Sequence, residues 1–289
     1  MAYFTIGKAL IHGELILNNA NILHPRRHAE LLLESATKRD RVSLYMNTSI
    51  KMDECEATVY SELLERRSAG EPIQYIIGTT PFYGREFRVG KGVFIPRFDS
   101  EVLIEKLLTA HNRILADNSQ IEILDLCCGS GALGLTAALE ILEARITLVD
   151  NSSIAIDYTT LNADHHGIAN RVEIVERDVL KEFPKSWYNK FDFILANPPY
   201  ISLNKIIDLD EDVQNEPQDA LTDGGTGLSF YQNWGNRLNT LLKPNGVFIF
   251  EIDDFISTHI HSLMGKNFSS IAMSKDLSGK LRVCEAAFI

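Results

Sequence analysis

Hydrophobic and polar positions divide the chain into stretches of different texture. Residues 1 to about 75 read as helical: Pro25 opens a run that includes Ala29, Leu31, Leu32 and Leu33, and a second segment extends from Asp53 to Ala69. Asp53 with Glu56 forms a capping-box pattern, and Gly70 is a natural stop. Between Gly78 and Pro96, aromatic and β-branched residues broken by Gly84, Gly90 and Gly92 predict a hairpin-like connector. The apolar run from Ser100 to Leu108 predicts a helix capped by Asp99 or Ser100.

From Ile121 onward strand and helix patterns alternate. Strands are expected over 121–126, 145–149, 172–175, 191–196 and 246–252, with helices over 132–142 and 154–163. This alternation predicts an α/β fold, a doubly wound, mostly parallel sheet that carries its ligand sites at the strand carboxyl ends. The expected division is a small helical domain over 1–77, a hairpin linker over 78–98 and a catalytic domain over 99–289. Residues 201–227 are acidic and loop-like, and a lid over the site is the expectation there.

With 289 residues, the chain accommodates a catalytic domain and a smaller companion. A net charge of −11 argues against broad, nonspecific affinity for nucleic-acid backbones, so stable nucleic-acid binding is not expected. Cys55, Cys127, Cys128 and Cys284 show neither a disulfide framework nor a Cys-x-x-Cys pair, which predicts a reducing compartment. The first residues lack a signal-peptide run and no stretch reaches membrane-spanning length, so the cytoplasm is expected and no membrane association.

Asn197-Pro198-Pro199-Tyr200, directly after an expected strand, points to methyl transfer onto a planar nitrogen. An amide nitrogen is a poor nucleophile because its lone pair is delocalised, so a site that methylates it must bind both of its N–H groups. The Asn197 side-chain oxygen and the Pro198 carbonyl supply two neighbouring acceptors; Pro199 has no N–H to compete for them, and the Tyr200 ring can stack on the flat group. A preorganised polar contact contributes about 3–4 kcal/mol to a transition state, and alignment of two reactants roughly 7–11 kcal/mol. Positioning is therefore the larger effect. The alternative reading is a strand end broken by two prolines.

Leu124 to Gly134 reads as strand, glycine turn and helix start, with Cys127, Cys128, Gly129, Ser130 and Gly131 small enough for a ligand to approach the backbone. Asp150 ends the next strand about twenty residues on, where a carboxylate can accept from ribose hydroxyls. Gly129-x-Gly131-x-x-Gly134 also satisfies the dinucleotide pattern, which keeps a nicotinamide-dependent dehydrogenase open. Asp125, placed to meet an amino-acid end, and a tetrapeptide with no role in hydride chemistry favour S-adenosylmethionine. Asp178 is a candidate partner for the adenine amino group, with a solvated turn acid as the alternative. No metal site is expected: Cys127-Cys128 reads as turn packing and His165-His166 as a helix end.

With these motifs the chain resembles the release-factor glutamine N(5)-methyltransferase family (PrmC, formerly HemK). The match continues through Pro72-Ile73-Gln74-Tyr75-Ile76-Ile77-Gly78, Phe94-Ile95-Pro96-Arg97 with Glu101, Glu216-Pro217, Ala220-Leu221, Gly225-x-Gly227-Leu228, and Lys275-Asp276-Leu277-Ser278-Gly279 followed by Arg282-Val283. The resemblance implies a Rossmann-like methyltransferase that uses S-adenosyl-L-methionine to methylate the glutamine of the Gly-Gly-Gln loop of class I peptide chain release factors. By position, Cys127 to Gly131, Asp150, Val179 and Asn197 would face the cofactor, and Asn197 to Tyr200 would hold the glutamine. Asn197, Pro198 and Tyr200 would carry catalysis, the helical domain would dock the protein substrate, and a monomer is expected. Cys127-Cys128 stands where many members have Gly-Thr, Phe98-Asp99 where many have Pro-Glu, Val179 where some have an aromatic, and Asp253 where a glycine is common. A glutamine methyltransferase acting on a ribosomal protein, an exocyclic-amine nucleic-acid methyltransferase and a binding-only protein are the remaining readings.

Overall fold

A computed structural model describes residues 4–114, 120–235, 237–264 and 268–288. The chain divides into two compact units, Met1–Thr79 with Asp210–Asn215, and Thr80–Leu209 with Glu216–Ile289. The first is helical: α1 (Ile6–Asn19), α2 (Pro25–Thr37), α3 (Arg41–Met46), α4 (Glu54–Ser68) and α5 (Ile73–Ile77). Its core is its own, built on Ile6, Leu10, Leu17, Leu32, Leu33 and Leu64. The Asp53–Glu56 capping box forms in both directions, with bonds of 2.7 and 3.1 Å, and Gly70 follows α4 at φ 89°. Buried Arg67 explains why a distant segment belongs to this unit: its guanidinium donates to both carboxylate oxygens of Asp212 at 2.8 Å. Asn215 Nδ2 adds a 3.0 Å bond to the Gly70 carbonyl.

The second unit opens with a hairpin, β1 (Thr79–Phe82) and β2 (Arg85–Arg88), so the linker segment groups with the sheet. Its two-residue turn, Tyr83–Gly84, has positive φ at both positions, 50° and 70°. Helix α6 (Glu101–Ile114) follows a 3-10 turn, Phe98–Ser100. The alternation then runs β3 (Ile121–Leu126), α7 (Ala132–Glu140), β4 (Ala144–Asp150), α8 (Ser153–His165), β5 (Val172–Glu176), β6 (Phe191–Ala196) and β7 (Leu242–Glu251), ending in β8 (Phe268–Lys275) and β9 (Leu281–Phe288). The sheet order is β5-β4-β3-β6-β7-β9-β8. All neighbours up to β7 are parallel, and β9 runs antiparallel to both β7 and β8.

Both faces of the sheet are buried, because successive side chains feed two separate cores. Ile123, Phe193, Leu195, Val247 and Ile249 pack on one side, and Leu124, Ile194, Ala196, Phe248 and Phe250 on the other. The chain lays β4 and β5 on one side of β3 and then crosses to β6 and β7 on the other. The switch point lies between β3 and β6, where Leu126 pairs with Ala196. The glycine turn and the Asn-Pro-Pro-Tyr segment each begin one residue beyond that pair.

Three features differ from the sequence expectation. β7 starts at Leu242, four residues early, because Leu242 pairs with Phe191 before the register shifts to Val247 opposite Phe193; Asn245 in between has φ 65°. The terminal β8–β9 hairpin extends the sheet. Residues 201–227 form short helical turns, 203–208, 211–214 and 218–221, where an irregular loop was expected. The Asp223 carboxylate organises the end of that segment, accepting from the N–H groups of Gly225, Gly227 and Ser229 at 2.8–2.9 Å.

Candidate functional site

The turn after β3 is shaped by backbone conformation. Cys127, Gly129 and Gly131 have φ of 61°, 58° and 80°. A Cβ on Gly131 would lie 2.9 Å from Leu135 Cδ1, so packing and conformation both demand glycine there. A Cβ on Gly129 would meet only Phe94 Cβ, at 3.9 Å, which leaves the backbone on that side approachable. Cys127 occupies a conformation that favours glycine, at a cost of roughly 1–2 kcal/mol. Cys128 is buried with its Sγ 3.6 Å from Thr159 Oγ1.

Two residues of α8 and two strand-end acids hold the turn. Thr159 Oγ1 donates to the Gly129 carbonyl at 2.9 Å, and Asn162 Nδ2 to the Ser130 carbonyl at 2.9 Å. Asn162 Oδ1 also accepts the Arg88 N–H at 2.7 Å, fastening β2 to the same helix. Asp150 accepts the Gly129 N–H at 2.9 Å and the Ser152 N–H at 3.0 Å. Asp125 is fully buried; its Oδ2 accepts the Gly134 N–H at 2.8 Å, and its Oδ1 has no partner among the described residues. Burial pushes the Asp125 carboxyl up to about 7, with the Gly134 N–H opposing and Asp150 reinforcing the rise. Asp178, beyond β5, accepts the Leu180 N–H at 2.9 Å and lies 3.7 Å from Lys181 Nζ. Val179 beside it is buried, and its carbonyl accepts Trp234 Nε1 at 3.4 Å. The structure thus joins Asp150 to the turn by a direct bond, whereas Asp178 bonds within its own turn.

The tetrapeptide is held from behind by side chains. Pro198 and Pro199 are buried; Asn197 and Tyr200 are partly so. Asn197 Nδ2 donates to Ser100 Oγ at 3.2 Å, and Ser100 Oγ donates in turn to Glu251 Oε2. Tyr200 OH donates to Glu251 Oε1 at 2.8 Å and receives Arg282 Nη1 at 3.3 Å. Arg282 pairs with Asp99 and Asp276, both at 3.2 Å, and lies 3.8 Å from Glu251. Burial pushes the Glu251 carboxyl up, while Ser100, Tyr200 and Arg282 pull it back. Burial and the neighbouring Glu251 raise the Tyr200 phenol well above its ordinary value, which keeps it a donor. Two acceptors, Asn197 Oδ1 and the Pro198 carbonyl, make no hydrogen bond among the described residues.

Asp99 and Ser100 therefore serve otherwise than as the expected helix cap: Ser100 binds Glu251 and Asn197, and Asp99 binds Arg282. The flanking motifs acquire reasons as well. Glu216 accepts the Ile95 N–H at 3.0 Å and an Arg97 N–H, and Glu101 accepts the Tyr83 N–H of the hairpin turn at 2.7 Å. Gly227, at φ 86°, lies so close to the tetrapeptide that a Cβ there would fall 2.0 Å from the Tyr200 carbonyl oxygen. Thr159, Asn162, Ser100, Glu251 and Arg282 were not assigned to the site by local pattern, because each acts across a long sequence separation. Asp276-x-Ser278 and Arg282 did stand out as a motif, without a role.

Among the described residues, no helix is long and apolar enough to cross a membrane. The PrmC N-terminal domain family matches residues 8–78 and the methyltransferase small domain family residues 88–269. A release factor glutamine methyltransferase from Clostridium botulinum is 36% identical over 96% of this chain and 97% of its own length. One from Bacillus subtilis is 36% identical over 88% of each chain. In fold alone, the chain is like a methyltransferase from Pyrococcus furiosus, 15% identical with a TM-score of 0.50 over 72% of this chain and 90% of that one. Helical unit, glycine turn, tetrapeptide and full-length similarity agree, and the chain belongs to the release factor glutamine methyltransferase family.

Proposed function

We propose that this protein transfers a methyl group from S-adenosyl-L-methionine to the side-chain amide nitrogen of the glutamine in the Gly-Gly-Gln motif of class I peptide chain release factors. The observation that carries the reading is the pair of unengaged acceptors, Asn197 Oδ1 and the Pro198 carbonyl, at the switch point beside the glycine turn. A primary amide presents two N–H groups in one plane, and two neighbouring acceptors match them.

The cofactor fits the residues present. Asp125 Oδ1 is a buried, unpartnered acceptor suited to an ammonium group directly or through water, and Gly129 leaves its backbone open to close approach. Cys127, Cys128, Gly129, Ser130 and Gly131 would line the methionine part, Asp150 the ribose, Asp178 and Val179 the adenine, and Asn197 the border with the acceptor. When bound, S-adenosyl-L-methionine supplies an electrophilic methyl group.

The chain's own work is positioning. Asn197 and the Pro198 carbonyl hold both amide hydrogens, so the nitrogen cannot rotate away from the donor side. Tyr200, its hydroxyl tied to Glu251, presents its ring to the flat amide. Accepting both hydrogens also favours the cationic nitrogen formed by alkylation, whose proton can leave to water without a dedicated base. The helical segment 1–77 would dock the release factor, 78–98 would serve as linker and 99–289 as the catalytic part, acting in the cytoplasm as a monomer. Incubation with labelled S-adenosyl-L-methionine should label purified release factor and fail to label its Gln→Ala variant. Equal labelling of both would overturn the assignment of the acceptor.

A further inference from the structure

We propose that Glu251 and Ser100 are positioning residues that fix which way the Asn197 amide faces, so that its oxygen and not its nitrogen meets the acceptor amide. The inference rests on the reading of Asn197 as an acceptor for the glutamine N–H. An asparagine amide is nearly symmetric in shape, and a flipped Asn197 would offer donors to a substrate that is itself a donor, leaving two N–H groups opposed.

The polarity is set two residues back. Glu251 is buried at the end of β7 and its surroundings are donors: the Ser100 hydroxyl on one oxygen, the Tyr200 hydroxyl at 2.8 Å on the other, and the Arg282 guanidinium 3.8 Å away. Ser100 has a single hydroxyl proton, and the carboxylate claims it. Toward Asn197, Ser100 Oγ therefore has only lone pairs to offer, and Asn197 must turn its Nδ2 inward, as the 3.2 Å bond shows. Oδ1 is thereby directed outward. Through Tyr200 the same carboxylate fixes the second substrate-facing side chain, and the Asp276-Arg282-Asp99 ion pairs hold the Arg282 charge beside it. Ser100 comes from the turn before α6, Asn197 from the segment after β6, Glu251 from β7 and Arg282 from β9, so the network spans four stretches of one unit.

Three variants test this: Ser100→Ala, Ser100→Thr and Glu251→Gln. Ser100→Ala deletes the link, Ser100→Thr keeps the hydroxyl, and Glu251→Gln lets Ser100 turn its proton toward Asn197. With release factor as acceptor, Ser100→Ala should lower kcat about 100-fold, since misalignment at a site of this kind costs on that order. KM for the release factor and affinity for S-adenosyl-L-methionine by calorimetry should stay within about threefold. Ser100→Thr should recover most of kcat. A kcat for Ser100→Ala within twofold of wild type, or a Ser100→Thr no better than Ser100→Ala, would overturn the proposal.

A second readout does not depend on the acceptor's identity. In 15N-edited NMR, an Asn197 Nδ2 proton should be protected from solvent exchange in the wild type and lose protection in Ser100→Ala and Glu251→Gln. Unchanged protection in both variants would also overturn it. Failure of the wild type to label any release factor, with protection still present in the wild type and lost in the two variants, would discard the acceptor reading and retain the orientation of the amide.

Discussion

The glycine turn and the tetrapeptide occupy equivalent places on neighbouring strands, yet they are held by different means. The turn is held locally, by carboxylate, hydroxyl and amide side chains 21 to 32 residues away that bond its backbone. The tetrapeptide is held by side chains 51 to 97 residues away that bond its side chains. A site that meets a ligand through backbone tolerates changes of side chain as long as the backbone can hold its φ; Cys127, at φ 61°, holds it at a cost in strain. A site that meets its ligand through an asparagine and a tyrosine requires those side chains and whatever orients them.

The contrast can be broken most severely at Gly227, where a methyl group collides with backbone and cannot be relieved by a rotamer change. Gly227→Ala should cost at least about 4 kcal/mol of stability, readable as a loss of urea midpoint, through the clash with Tyr200 O and the strained φ of 86°. A midpoint near wild type would show that the tetrapeptide backbone is free to move. Arg282→Ala strips Glu251 of its compensating charge and should cost about 3 kcal/mol. An unchanged midpoint would mean that water replaces the guanidinium.

At the glycine turn the expected effects are smaller, and that at Asp125 depends on pH. The Asp125 carboxyl is raised to about 7 in the folded chain, against an ordinary value of 3.8, so the folded state holds the proton more tightly. The stability this brings is present in full below about pH 4 and is lost as pH rises through 7. Asp125→Asn cannot ionise, and it should be more stable than wild type at pH 8 by about 2 kcal/mol, with the difference passing through zero on acidification and reversing to about 2 kcal/mol less stable near pH 4. The full shift would give about twice that, but the asparagine brings a buried N–H of its own. A gap independent of pH would contradict the assignment. Cys127→Gly relieves a left-handed residue and should stabilise by about 1 kcal/mol in thermal unfolding; a loss of stability would mean that Cys127 packing outweighs its backbone strain.

The same contrast explains what was legible in the sequence. Strands β3, β5 and β6, the capping box at Asp53 and the glycine turn could be read because their causes lie within a few residues: alternation, Gly at positive φ, a carboxylate three positions from its partner. Asn197 to Tyr200 was legible as chemistry, since its acceptors are its own atoms. The groups that aim it were not. Ser100 matched a helix cap, which its hydroxyl is not free to be, and Glu251 fell inside an expected strand without a signal of its own. The early start of β7 was hidden by Pro244-Asn245-Gly246, a turn signal that the strand absorbs as an irregularity. Residues 210–215 could not be grouped with the N-terminal helices from sequence, because that grouping depends on an ion pair between buried Arg67 and partly exposed Asp212, 145 residues apart.

On the proposed function, cofactor and acceptor are held by separable machinery, with Asn197 serving chiefly the acceptor. The direct measurement is made on one preparation of Asn197→Ala: its affinity for S-adenosyl-L-methionine by calorimetry, and its single-turnover rate of methyl transfer to release factor. We expect affinity within about threefold of wild type and a rate lower by about 1,000-fold. A wild-type rate, or a loss of cofactor affinity as large as the loss of rate, would contradict the claim.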